Sequence, residues 1–425
     1  MIFRERTKEP LPLARIATLA QHRGVHRAFA WLHLQEPRIS SWQQELVAIP
    51  APPFGEGERA AWFADRMREL GLSDVHIDEA GNALGLLRPD DGQSHVALLS
   101  AHLDTVFSAD TELDIRQDES LLIGPGISDN GAGLAGLLAL AAAIRHAELQ
   151  PVNNILFAAN VGEEAEGNLR GMRHLFTGSP FARRICGTLA LEGAGTEIVV
   201  TRALGSRRFR VEITGPGGHA WTDSAVANPI VALSTAIAEI SSRTLPARPR
   251  TTLNVGEIRG GTSVTAVAQS AEATFDLRST DAGQLLLLEV QLYRAVEDAV
   301  MAANRAGSGE KLQAQITLIG DRPAAELDPK SRLLETVRAV DRHLRLRTEE
   351  RLGSTDANIP LSLGLEAVAI GAGGLAGGVH TTNEWHDTRG RDLALRRVLL
   401  ILLDLCGHLE AGNEVAADSP GAGEP

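Results

Sequence analysis

The sequence predicts an α/β fold, a mixed sheet with helices on both faces, interrupted by a smaller α+β domain. Three observations carry this. Short apolar runs at 96–100, 155–159, 188–191 and 367–370 alternate with helical patterns at 134–144 and 394–405, as buried strands and covering helices do. Between them, 207–214, 251–258 and 264–278 alternate apolar and polar residues, the mark of half-exposed antiparallel strands. The length of 425 residues exceeds one average domain and suits two. The expected division is a larger domain formed by 1–205 and 321–410, an inserted domain at 206–320, and a tail at 411–425. That tail, rich in Ala, Gly, Glu and Pro, reads as disordered.

In chain order, the first fifty residues read as two short helices with no evident chemistry. Residues 58–70 place Ala60, Phe63, Ala64, Met67 and Leu70 on one face, and Gly71 follows as a stop, so an amphipathic helix is expected there. The inserted domain adds helical patterns at 229–240 and 285–302 to its strands. A hydrophobic content of 44% with 22% charged residues permits a sizeable core without disulfides. The net charge of -13 argues against nucleic acid, whose phosphates call for clustered Lys and Arg. No run approaches the ~20 apolar residues of a membrane span, so no membrane partner is expected. Arg4, Arg6 and Lys8 are not followed by the apolar stretch of a signal peptide. Cys186 and Cys406 sit in apolar surroundings, lack metal-site spacing and read as buried reduced thiols, which points to the cytoplasm.

The chemistry-bearing residues fall at the ends of the apolar runs. His102 and Asp104 close the first; two positions apart, they can share a face, as a ligand and its orienting carboxylate or as a satisfied core histidine. Asp129 lies in the glycine-rich stretch 124–133 before an apolar helix, where an N-cap is the alternative to a ligand. Glu163 and Glu164 follow the second buried run; adjacent carboxylates repel unless a cation, a proton or bulk water relieves them. Glu192 ends the third, and His380 with Glu384 follows the last. In open α/β sheets ligands bind at the carboxyl ends of the strands. Four such ends and the glycine-rich loop each deliver an acid or an imidazole. Two imidazoles and several carboxylates without thiolate suit zinc, cobalt or manganese, and the number of acids suggests two ions.

This ordered set resembles the di-zinc exopeptidases and deacylases that include peptidase T, carboxypeptidase G, aminoacylase and succinyl-diaminopimelate desuccinylase. The motifs are His-x-Asp-Thr-Val at 102–106, Ser-Asp-Asn-Gly-Ala-Gly at 128–133, Glu163-Glu164, Glu192-Gly, and His380 with Glu384. The resemblance implies a zinc-exopeptidase-like fold whose inserted domain is a lid and dimerisation domain. It implies two divalent ions held by His102, Asp129, Glu164, Glu192 and His380, with Asp129 bridging. Asp104 would orient the His102 ring, and a cis peptide would join Asp129 to Asn130. Glu163 would be the general base toward a water shared by the ions. His219, in Gly-Pro-Gly-Gly-His-Ala at 215–220, would reach the active site of a partner in a homodimer and stabilise the oxyanion.

Asn254, Arg278 and Ser354 are substrate-binding candidates by the same resemblance; Arg278 fits a substrate carboxylate or a lid salt bridge equally. Thr265 stands where the family often carries Asn. The implied reaction is hydrolysis of a peptide or amide bond of a small substrate, closest to the peptidase T-like branch, with an N-acyl amino acid deacylase as the alternative. Two rival readings fit the sequence less well. Gly131-Ala-Gly-Leu-Ala-Gly136 fits the dinucleotide fingerprint, but no strand ends immediately before it, and its glycines fit helix packing better. A non-catalytic relative would be expected to lack ligands or base, yet every position is filled.

Overall fold

The computed structural model describes residues 11–407 and Leu409. The tail expected at 411–425 lies outside the described residues. The larger sheet has nine strands. At its centre Asn154–Asn160, Val96–His102, Ile185–Leu191 and Ala367–Ile370 run parallel, side by side in that order. Parallel strands are linked by crossovers that cover both faces, which is why these segments are continuously apolar rather than alternating. Ala83–Leu86 and Ser73–Ile77 extend one edge antiparallel. Ile198–Ala203 extends the other and pairs with Ala325–Glu326 and Glu349–Gly353.

One face of this sheet carries the main core, into which Gly131–His146, Arg332–Leu344 and Arg391–Leu405 pack. The opposite face is covered by Arg170–Thr177, whose Met172, Leu175 and Phe176 join Ile359. The amphipathic helix expected at 58–70 spans Gly57–Glu69, with Gly71 at φ 75° beyond it. The first fifty residues differ from expectation. Those that are described, 11–50, form three helices, Pro12–Ala20, Arg23–Leu34 and Glu36–Val47, all packed on the main core. His22 caps the second through its Nδ1, and Pro37 sits in the first turn of the third, where its missing N–H costs nothing. The apolar periodicity runs on across this second break and hides it.

The glycines of the rejected nucleotide motif are packing positions. A Cβ on Gly131 would lie 2.6 Å from Val47 Cγ1, and one on Gly133 2.8 Å from the Leu191 carbonyl. No side chain fits there, so the helix Gly131–His146 approaches the sheet and the N-terminal helices closely.

The second body of structure is a four-stranded antiparallel sheet ordered Thr251–Gly260, Ser270–Ser279, Gly205–Thr214, Gln313–Arg322. One face packs on helices Pro229–Ser241 and Ala282–Ala306 through Phe209, Val211, Phe275, Leu277, Leu288 and Leu292. The burial along Ser270–Ser279 alternates strictly, as one covered face requires. The single strand expected at 264–278 is broken. Ala266–Val267 pairs instead with Gly218–His219, and the sheet strand begins at Ser270. The alternation shifts phase there, from Val264, Ala266 and Ala268 to Ala271, Ala273, Phe275 and Leu277, and that shift is the sequence trace of the change in hydrogen-bond partner.

A third sheet of short strands, Leu375–Gly377, Trp385–Asp387, Leu121–Ile123 and Arg116–Asp118, had no sequence signal; three-residue strands show no period. Its hairpin carries His380 and Glu384.

Two buried ion pairs lock the C-terminal helix. Arg397 donates to both Asp341 oxygens, at 2.5 and 2.9 Å, with both side chains almost fully buried. Arg15 of the first helix does the same to Asp404, at 2.7 and 3.0 Å. Removing one member of such a pair strands the other charge in a low dielectric. We expect Asp341→Ala to lower unfolding free energy by about 3–5 kcal/mol. The double variant Asp341→Leu/Arg397→Met should recover most of that in denaturant titration, and a loss equal to that of the single variant contradicts it.

Candidate metal centre

The carboxyl ends of the central strands and the small-sheet hairpin meet in one cluster. His102 ends its strand fully buried, and its Nδ1 lies 3.0 Å from the main-chain carbonyl of Asp104. That contact makes Nδ1 the protonated nitrogen and turns Nε2 to the cluster. Nε2 lies 3.2 Å from Asp129 Oδ1 and 3.4 Å from Glu192 Oε1. On the other side His380 Nε2 lies 3.2 Å from Asp129 Oδ2 and 3.1 Å from Glu164 Oε1. Two three-residue groups result, His102–Asp129–Glu192 and Asp129–Glu164–His380, each with its ligand atoms within 4.8 Å of one another. Asp129 belongs to both.

Asp129 is not the N-cap of the helix that follows. That role falls to Asn130, whose Oδ1 accepts from the main-chain N–H of Gly133 and Gly193 and whose Nδ2 donates to the Leu191 carbonyl. The Asp129–Asn130 peptide is cis, as the resemblance implied. Asp104 corrects the expectation made for it. Its carboxylate is 3.7 Å from His102 Nδ1, and its main-chain carbonyl holds the ring instead. The carboxylate accepts from the main-chain N–H of Glu163 at 3.0 Å and Glu164 at 2.7 Å, so it sets the direction of the paired glutamates.

The electrostatics of the cluster are unbalanced. Burial opposes ionisation of Asp129, yet the two imidazoles outweigh it and hold the carboxyl well below the usual range. The same contact with Asp129 raises His380 to about 9. Burial pushes the Glu163 carboxyl well up, against the opposing charge of Arg322. Among the described residues, His102 Nε2, Asp129 Oδ1 and Glu192 Oε2 are buried without a hydrogen-bond partner. Orphaned acceptors facing an imidazole nitrogen are what a cation site leaves when its charge is left out. Imidazole and carboxylate donors, with no thiolate, fit divalent transition ions.

Glu163 belongs to neither group. Its Oε1 accepts from Arg322 Nη1 at 2.8 Å, and Arg322 also donates to its main-chain carbonyl and to Ser354 Oγ. Arg322 ends the last strand of the second sheet and was not anticipated; a lone arginine carries no sequence signal. Glu384 was noticed beside His380 but without a role of its own. It is fully buried and accepts from the main-chain N–H of Gly126, Ser128 and Asp129, fixing the loop that carries the shared acid. Burial, against those donors, raises it to about 7.

A cleft of about 350 Å³ opens over the cluster. It is lined by the acids Asp129, Glu163, Glu164 and Glu192 together with the polar and cationic side chains of Arg208, Arg278, Arg322 and Ser354. Arg278 also donates to Asp276 at 2.7 Å. His219 and Asn254 do not line the cleft. Both are exposed, and His219 Nδ1 accepts from the Trp221 N–H.

Residues 98–403 match Peptidase family M20/M25/M40. Among curated proteins, the acetylornithine deacetylase of Vibrio parahaemolyticus is 25% identical over 257 residues, 56% of this chain and 64% of its own length. The chain spans roughly a third to two thirds of the length of the curated relatives it matches. Among solved structures, a Staphylococcus aureus tripeptidase superposes with TM-score 0.70 at 22% identity, covering 88% of this chain and 99% of that one. A Bacillus subtilis protein described as a dinuclear metal-binding peptidase of the M20 family gives 0.65 at 13% identity, covering 89% and 99%. The structural likenesses show the fold.

Glu384→Ala removes the acceptor for three loop N–H groups. We expect it to weaken divalent-cation binding by about 10–100-fold in calorimetric titration, with the protein still folded. Unchanged affinity would remove Glu384 from the support of the loop.

Proposed function

The chain belongs to peptidase family M20/M25/M40, and from that premise we propose that it hydrolyses a peptide or amide bond of a small substrate with two bound divalent cations. The observation that carries this reading is the sharing of Asp129 between two ligand groups that also contain buried, unpartnered donor atoms. In this reading His102, Asp129 and Glu192 hold one cation, and Asp129, Glu164 and His380 the other. Zinc suits the donor set best, with cobalt and manganese as alternatives. Such cations supply Lewis acidity, lowering the pKa of water and polarising the amide carbonyl.

The protein's own groups do the rest. Glu163 stands beside both ligand groups without joining either, where it can take a proton from water and pass it to the leaving nitrogen. Arg322 holds one of its oxygens and leaves the other for that task. Asp104 aims the main chain of Glu163 and Glu164. Arg278 and Ser354 also line the cleft, where a guanidinium can receive a substrate carboxylate. His219 and Asn254 stand outside this chain's cleft; the reading gives His219 its role in a homodimer built through the lid, where it would reach the partner's cleft. The cytoplasm is the compartment proposed, on the strength of two free cysteines, Cys406 buried as expected and Cys186 exposed against expectation. No helix among the described residues is long and apolar enough to cross a membrane.

Small peptides are the first substrate class, given the motif likeness to the peptidase T-like branch. A deacylase acting on N-acyl amino acids is the second reading, favoured by the match to the acetylornithine deacetylase. The experiment is a panel of di- and tripeptides with N-acetyl and N-succinyl amino acids, offered to the zinc-loaded protein. Hydrolysis of peptides is expected; turnover of the acyl amino acids alone would select the second reading. On the best substrate Glu163→Gln should lower kcat by about 10²–10⁴-fold while both cations remain bound. Near-normal turnover in that variant would take the base role from Glu163.

A further inference from the structure

The N-terminal helices contribute a side chain that reaches the underside of the loop carrying Asp129. Gln43, in the helix Glu36–Val47, is fully buried. Its Nε2 donates to the main-chain carbonyl of Ile127 at 2.5 Å and lies 2.9 Å from His386 Nδ1. Its Oε1 accepts from Arg391 Nη2 at 2.5 Å. His386 in turn places Nε2 3.0 Å from the Gly373 carbonyl. These four contacts admit one assignment. A carbonyl can only accept, so His386 carries its proton on Nε2 and accepts at Nδ1. Burial, reinforced by Arg391, lowers the imidazole to about 3 and keeps it neutral. Both Gln43 amide hydrogens are then used, one on Ile127 and one on His386, while Arg391 fixes which way the amide faces.

The loop is thereby held from two sides by complementary groups. Glu384 takes its N–H groups at 126, 128 and 129, and Gln43 supplies a donor to the carbonyl at 127. Close packing leaves no slack. A Cβ on Gly131 would meet Val47 Cγ1 at 2.6 Å and Gln43 Cγ at 3.6 Å, so the same helix presses on the residue two beyond Asp129.

We infer that Gln43 is a positioning residue for the cation centre, through which the N-terminal helices set the loop that aims Asp129. The inference rests on the reading of Asp129 as a shared cation ligand. It gives the first fifty residues a part in the chemistry that their sequence did not reveal.

Two variants separate this role from packing. Gln43→Met keeps the length of the side chain and removes every hydrogen bond. Gln43→Glu keeps an acceptor for Arg391, and hence a paired charge, but offers no donor to Ile127. Two readouts are taken on the full chain: hydrogen exchange of amides 126–131 in chelator-treated protein, and calorimetric titration with Zn²⁺ together with the visible spectrum of the Co²⁺-loaded form. We expect both variants to speed loop exchange about tenfold or more. Zn²⁺ affinity should fall by about 10–100-fold and the Co²⁺ bands should shift. Exchange of 205–214 in the second sheet should not change. If Gln43 merely packs or anchors Arg391, Gln43→Glu will behave as wild type in every readout, and that result overturns the inference. Should Gln43→Met fail to fold, Gln43→Glu decides alone. If the wild type takes up no cation while loop exchange still speeds in the variants, the cation reading fails and the positioning of the loop stands.

Discussion

Three carboxylates and two imidazoles share a space in which the ligand atoms of Asp129, Glu164, Glu192, His102 and His380 lie a few ångströms apart. At such separations, in a partly buried site, like charges repel strongly and water cannot screen them. Protonated imidazoles relieve part of the conflict, which is why His102 and His380 are drawn to their charged forms in the protein by itself. Cations relieve it more fully and also satisfy the donor atoms left without partners. The surrounding structure follows from keeping these groups together.

Three of the five candidate ligands, His102, Asp129 and Glu164, are held by residues outside the two ligand groups. The Asp104 carbonyl sets the His102 tautomer, and its carboxylate directs Glu163 and Glu164. Asn130 ties the Asp129 turn to Leu191 and Gly193, beside Glu192. Glu384 gathers the loop N–H groups, and Gln43 meets its carbonyl from beneath. Such outer contacts cost little individually, but they fix ligand direction before any ion arrives, and that preorganisation gives a site its affinity.

The sheet and most of the candidate ligand set are legible in the sequence for one reason: parallel strands are continuous apolar runs, and the polar residues that close them stand out. His102, Asp129, Glu164, Glu192 and His380, read from those ends and the glycine-rich loop, do converge in the fold. What escaped notice was of a different kind. Arg322 comes to Glu163 from a strand of the other sheet, and Gln43 comes to Ile127 across 84 residues of chain; single polar residues at such distances have no spacing to betray them. The role of Asp104 was half right because motif reasoning sees residue types, while the bond to His102 is made by a main-chain carbonyl. The break at Gln35 between two N-terminal helices is hidden because the apolar pattern persists across it, whereas at 268–269 the alternation shifts phase by one residue, a signal that reading 264–278 as one strand overlooks.

The account stands on Asp129 serving two ions at once. The most direct measurement is the native mass of the chain after zinc loading, for wild type and Asp129→Ala. Two zinc ions per wild-type chain, with loss of both in the variant, is the predicted result. A single ion in the wild type, or two retained without the Asp129 carboxylate, would contradict it.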